Sequence, residues 1–289
     1  MNELLCDFEP KHDFLVCIDS DGCAFDTMEI KHKECFCPAA INGWDMQCVS
    51  TLAREVWEFV NLYSITRGCS RFNAILRVLD LLEARPEAKL RGFKAPEHDR
   101  FRHWVETAPI LNNDELSKIA ETGDPQFRRA LKWSLDANRR VSEMVHGIPP
   151  FPFVRESLER LSECADIVVC SATPYEALLN EWTEHDIRKY VSLLGSQENG
   201  TKKDIIAEVK TNYNPLRVLM VGDALGDYRA AHDNGVQFYP ICPLDEIGSW
   251  KEFYYDAIEN FLSGTYEGDV SRRYFEEFVK RLPSEIPWN

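Results

Sequence analysis

The stretch "FLVCIDSDGC", residues 14–23, sets two carboxylates, Asp19 and Asp21, directly after an apolar run. A second acidic pair, Asp223 and Asp227, follows another apolar run in "RVLMVGDALGD", and a third run, "DIVVC", leads into Ser171. Acids converging from separate strand ends repel one another strongly unless a cation holds them. Ligands that are all oxygen suit a hard divalent ion, and Mg²⁺ is the usual one where phosphate is handled. Gly22 lets the backbone turn tightly and approach a ligand. Alone, Asp19 and Asp21 could be a solvated turn after a strand. The matching pair at 223 and 227 argues against that reading.

Several elements must position these residues. Short, partly β-branched apolar runs at 14–18, 166–170, 191–194, 217–221 and 236–241 read as buried strands. Amphipathic helix patterns at 151–163, 174–185, 202–211 and 225–234 separate the later ones. Strand then helix, repeated, means right-handed crossovers and a parallel sheet covered on both faces. Ligands of such sheets bind beyond the carboxyl ends of the strands, where the acids fall. The helix starting near Pro174 would itself attract an anion.

Between the first and second strands the rhythm breaks. About 120 residues intervene without a clear strand, a length close to a domain of its own. Helical patterns fill them, as in "VSTLAREVWEFVNLY" and "SRFNAILRVLDLLEAR". The expected fold is therefore α/β, a Rossmann-like three-layer core at 1–27 and 146–289, with an all-helical insert at 28–145. The proline-rich "HGIPPFPF", 146–153, suits a stiff return between the two. Two more helices are expected at 246–262 and 269–281.

Composition narrows the function. A formal charge of −15 on 289 residues argues against a nucleic-acid partner, since phosphate backbones need a basic surface. A small phosphate held by a metal and a local cation remains compatible with it. No apolar run reaches the length of a membrane span, so no membrane partner is expected. The acidic start "MNELLCDFEPKHD" lacks an apolar signal core, and the ten cysteines do not form a secreted disulfide pattern. A cytoplasmic location follows as the expectation. In "HKECFC", His32, Cys35 and Cys37 are too closely spaced for a zinc finger and read as ordinary side chains. Arg67 and Arg71 flank a glycine between two helices of the insert. They could reach a substrate, or lie in a solvated loop in which Ser70 caps the following helix. Arg100, Arg102, His103 and Trp104 fit a half-buried helix equally well.

Taken in order, "DSDG", "VVCSAT", "TKKD" and "GDALGD" resemble the four motifs of the haloacid dehalogenase-like hydrolases, with an insert placed as in members bearing a helical cap. The resemblance covers 14–26 and 146–242. It implies that Asp19 is a nucleophile forming an aspartyl-phosphate and that Asp21 is the acid, then the base. It implies that Ser171 and Lys202 bind the transferring phosphoryl group. Mg²⁺ would lie among Asp19, the Asp21 carbonyl and Asp223, with Asp227 binding it through water or anchoring its ligands. Gly22 and Ala172 would line the phosphate, with Arg67 and Arg71 as cap contacts to the substrate. Cys23, Phe25 and the absence of a proline after the lysine depart from the family pattern, and Lys203 competes with Lys202 for the active position. An acid two residues after the nucleophile suits phosphate esters, whose leaving alkoxide needs a proton. The expectation is a Mg²⁺-dependent phosphatase of a small phosphorylated metabolite, its cap closing to exclude water. A phosphomutase would carry the same motifs, and a non-catalytic phospho-accepting module is the other alternative.

Overall fold

The computed structural model describes residues 5–288. The chain groups into two compact units, Met1–Thr27 with Gly147–Pro283, and Met28–His146 with Ser284–Asn289. From β1 (Phe14–Ile18) it enters a helical stretch of α1 (Thr27–Ile30), α2 (Cys37–Gly43), α3 (Ser50–Asn61), α4 (Arg71–Ala84), α5 (Pro86–Leu90), α6 (Asp99–Thr107), α7 (Asn113–Ala120) and α8 (Pro125–Met144). It then alternates through α9 (Val154–Ser162), β2 (Ala165–Cys170), α10 (Tyr175–Glu184), β3 (Leu193–Gly195), α11 (Lys202–Val209), β4 (Val218–Gly222), α12 (Leu225–Asp233) and β5 (Gln237–Pro240). The chain continues through α13 (Glu246–Glu252), α14 (Ile258–Ser263) and α15 (Asp269–Lys280). A π-helical turn, Phe253–Ala257, joins α13 to α14, so the helix expected at 246–262 is one run with a widened middle.

Among the described residues the strands form one parallel sheet in the order β3-β2-β1-β4-β5. Both faces are covered, which is why the strands read as continuous apolar runs rather than alternating ones. Val16, Ile18, Ile167, Val169, Leu219 and Val221 pack into one core cluster. Leu15, Cys17, Val168, Cys170, Val218 and Met220 pack into another. The register pairs Ile18 with Val169 on one side and Val221 on the other. The three central strands thus end level, and the residues after them emerge along one edge. The strand order reverses beside β1, where such sheets open a ligand crevice.

The segments flanking the helical stretch are bonded to each other. Phe151 donates its N–H to the Ala24 carbonyl at 2.9 Å, and Phe25 bridges Pro150. At the amino edge of the sheet lies a buried acid, Asp166, with 1% of its surface exposed. It accepts from the amides of Lys11 and His12, each at 2.9 Å, and from the Tyr213 hydroxyl at 2.8 Å.

The helical unit has its own core, rich in large aromatics. Trp44 meets Trp133 edge-on at 6.1 Å, and Phe72 meets Trp104 edge-on at 5.6 Å. Ser70 caps α4 by accepting from Phe72 N, and Asp124 caps α8 ahead of Pro125. Ile286 and Trp288 pack against this core. The Trp288 ring lies 5.3 Å from Phe59, with the Arg85 guanidinium 5.0 Å over it. Cys35 and Cys37 are buried, and His32 Nδ1 accepts from Trp57 Nε1 at 3.3 Å.

Candidate active site

Asp19 is the first residue beyond β1. Its N–H still follows the ladder, donating to Val221 O at 3.0 Å, while the Ser20 N–H donates to Asp19 Oδ1 at 2.8 Å. The chain then turns sharply. Ala24 N and Phe25 N both donate to Ser20 O, Gly22 N donates to Phe25 O at 2.8 Å, and Gly22 sits at φ +75°. Glycine takes that left-handed conformation without the strain a Cβ would bring.

Asp223 leaves the end of β4, and Asp227 returns from the first turn of α12. Asp227 Oδ2 accepts from the amides of Asp223 and Ala224, each at 3.1 Å. This close return requires Gly222, since a Cβ there would come within 2.5 Å of the Asp227 side chain. Lys202 opens α11, whose start is fixed by a reciprocal pair of bonds between Thr201 and Asp204. Its ammonium lies 2.7 Å from Asp19 Oδ2 and 2.5 Å from Asp227 Oδ1. Lys203, one helical step round, points to Asp233 at 2.7 Å with 57% of its side chain exposed. The lysine facing the acids is therefore Lys202.

Oxygens of Asp19, Asp223 and Asp227 lie within 4.8 Å of one another, and all three residues are buried. Burial pushes the Asp19 carboxyl well above the usual range, and Asp227 and Asp223 add to it against the pull of Lys202. Burial raises the Asp227 carboxyl too, again opposed by Lys202. For Lys202 burial acts downward, but Asp19, Asp227 and Asp223 override it and hold the ammonium well above its ordinary value. Three buried carboxylates thus lie together, two of them in contact with the Lys202 ammonium. An all-oxygen donor set of this size fits a hard divalent cation such as Mg²⁺.

Asp21 is placed differently. Its carboxylate accepts from the hydroxyls of Thr27 and Thr173, the latter at 2.9 Å. It is not among the carboxylates grouped for a cation. Ser171, 2% exposed, donates its N–H to Gly195 O at 2.9 Å and accepts at Oγ from Thr173 N at 3.2 Å. Ala172 beside it is exposed.

The α10 N-terminus is not an open anion site. The Glu198 carboxylate takes the Tyr175 N–H at 3.0 Å, so an anion supplied by the chain itself lies at this helix start. The Gly22 amide is engaged within its own turn. In the helical unit, Arg67 is buried and donates to Leu62 O at 2.9 Å. Arg71 donates to Asn138 Oδ1 at 2.6 Å and lies 4.6 Å over the Phe36 ring, and burial brings its guanidinium down to about 10.

No family model and no curated protein matches the chain. Solved structures do. One from Lactobacillus delbrueckii subsp. bulgaricus, provisionally assigned as a phosphoglycolate phosphatase, is 12% identical with a TM-score of 0.51, over 80% of this chain and 87% of its own. The chain shares that structure's fold. A structure from Haemophilus somnus, a predicted phosphoglycolate phosphatase, is 15% identical over 80% of this chain and 86% of its own, with a TM-score of 0.47. A haloacid dehalogenase-like family hydrolase from Streptococcus pneumoniae is 14% identical over 82% of this chain and 90% of its own, with a TM-score of 0.44. The likeness is one of fold.

Sequence reasoning missed Thr27, Thr173 and Glu198. Thr173 closes the quoted "SAT" and Thr27 stands six residues past Asp21, but nothing in either position marks a hydroxyl that faces a carboxylate. Glu198 meets α10 only through the folded return of β3.

Proposed function

We propose that this chain is a Mg²⁺-dependent phosphatase that hydrolyses a small phosphorylated metabolite through an aspartyl-phosphate on Asp19. The observation that carries the reading is the contact of Lys202 Nζ with Asp19 Oδ2 at 2.7 Å, inside a cluster of three buried carboxylates. Asp19 attacks phosphorus, and the bond to the ester oxygen breaks. Asp21 gives that oxygen its proton, so the product leaves as an alcohol. The two threonine hydroxyls on Asp21 fix where the proton is delivered.

Lys202 lowers the repulsion between an anionic nucleophile and an anionic phosphate. The Ser171 hydroxyl would bond a phosphoryl oxygen. Asp19, Asp223 and the Asp21 carbonyl would hold Mg²⁺, with Asp227 behind them fixing Lys202 and the turn after β4. The ion would supply further charge neutralisation at the phosphoryl group. In the second half, Asp21 takes a proton from water, the water oxygen attacks phosphorus, and inorganic phosphate leaves Asp19 free.

The test is phosphate release from a panel of small phosphate esters, with Mg²⁺ or with chelator, for the wild type and Asp19→Asn. Turnover that needs Mg²⁺ and falls by at least about 10³-fold in the variant is expected. Turnover that survives the substitution rejects Asp19 as the nucleophile.

A further inference from the structure

The residue between the two aspartates is Ser20, and it is fully buried. Its hydroxyl donates to Glu181 Oε2 at 2.7 Å and accepts from Trp182 Nε1 at 2.9 Å. Its N–H orients Asp19 Oδ1, and its carbonyl takes the amides of Ala24 and Phe25. Every polar group of Ser20 is therefore engaged, and two of its partners are neighbours on α10. The Trp182 indole is itself buried, packing edge-on against Phe25 at 5.6 Å. A hydrogen bond to a carboxylate is stronger than a neutral one. Packing alone would need only an apolar residue at position 20, so a carboxylate brought to this point has another use.

We propose that Glu181 is a positioning residue for the reaction. Through Ser20 it holds the peptide between the two aspartates, and so sets the direction of the Asp19 carboxylate and the separation of the nucleophile from the acid. The role rests on the phosphatase reading above. Glu181 does not touch the reacting atoms; Trp182 limits the Ser20 hydroxyl to the rotamer that reaches Glu181. A displacement of reacting groups by a fraction of an ångström lowers the chemical step far more than it changes binding. The loss belongs in kcat.

The experiment is steady-state hydrolysis of p-nitrophenyl phosphate with Mg²⁺ by the full chain, with melting temperature recorded for each variant. Glu181→Ala and Ser20→Ala are each expected to lower kcat about tenfold with KM within about twofold, and the double variant to be no worse than either single one. Glu181→Gln keeps an oxygen acceptor and is expected to restore kcat to within about threefold of the wild type. Glu176→Ala, on the exposed side of α10, is the control and leaves kcat unchanged. A kcat for both single variants within twofold of the wild type overturns the proposal, as does a double variant whose loss is the product of the two. Should Glu181→Ala fail to fold, Ser20→Ala and Glu181→Gln give the same reading. A wild type that turns over no member of the ester panel rejects the phosphatase reading itself, and the positioning role with it.

Discussion

Both edges of the sheet bury carboxylates, and they do so on opposite terms. At the amino edge, Asp166 stands among donors: two amides and a tyrosine hydroxyl meet it, all within 2.9 Å. These donors, with the His12 ring at 3.5 Å, hold residues 11–12 and Tyr213 against β2. At the carboxyl edge, Asp19, Asp223 and Asp227 are buried together, and Lys202 contacts Asp19 and Asp227. Burial and mutual repulsion there are only partly answered, which leaves the cluster able to take a cation. Burial of an acid therefore does not mark a functional site. Several carboxylates buried within reach of one another are the better marker.

The sharpest test of that contrast is Lys202→Met. Removing the one ammonium at the carboxyl edge is expected to lower kcat by about 10²–10³-fold, while Lys203→Met stays within about twofold. Equal losses from the two lysines in phosphate-release assays would break the distinction drawn from their contacts. Next in size is Asp166→Ala at the other edge. It strands buried donors and is expected to cost about 3 kcal/mol in urea unfolding, with turnover per folded molecule unchanged. A loss of turnover without a loss of stability would reverse the assignment of the two edges.

Asp223→Asn probes the cluster itself. If the cluster binds Mg²⁺ as proposed, wild-type protein is expected to gain stability from it by mass action, about 2.7 kcal/mol at a hundredfold excess over Kd. The variant is expected to lose most of that gain in thermal melting, and its metal-free form to melt no lower than the wild type, because one repelling charge is gone. Tyr213→Phe is the smallest change. It removes one hydroxyl from Asp166 and is expected to cost about 1.5 kcal/mol, with the Mg²⁺ gain intact.

Much of this was legible in the residues. The five strands fall within a few positions of the apolar runs, because a strand covered on both faces leaves an unbroken signature. The acids at 19, 21, 223 and 227 could be placed at one edge because each follows such a run. The lysine was harder, since Lys202 and Lys203 are one position apart and only the helix start at Thr201 decides which turns inward. The hydroxyls on Asp21 were invisible. Thr173 is 152 residues from its partner, and threonine is as common in turns as anywhere. The acceptor on α10 was hidden for the same reason, as Glu181 meets Ser20 across 161 residues. Motif spacing records what lies along the chain, and these contacts are made across it.

The grouping of Ser284–Asn289 with the helical unit makes that unit discontinuous in the chain. Excising 28–146 and joining the cut ends would strip Ile286 and Trp288 of the core they pack against, exposing an indole and a branched aliphatic. A stand-alone sheet unit must therefore lose Ile286 and Trp288 too, and an isolated helical unit must regain them through a linker.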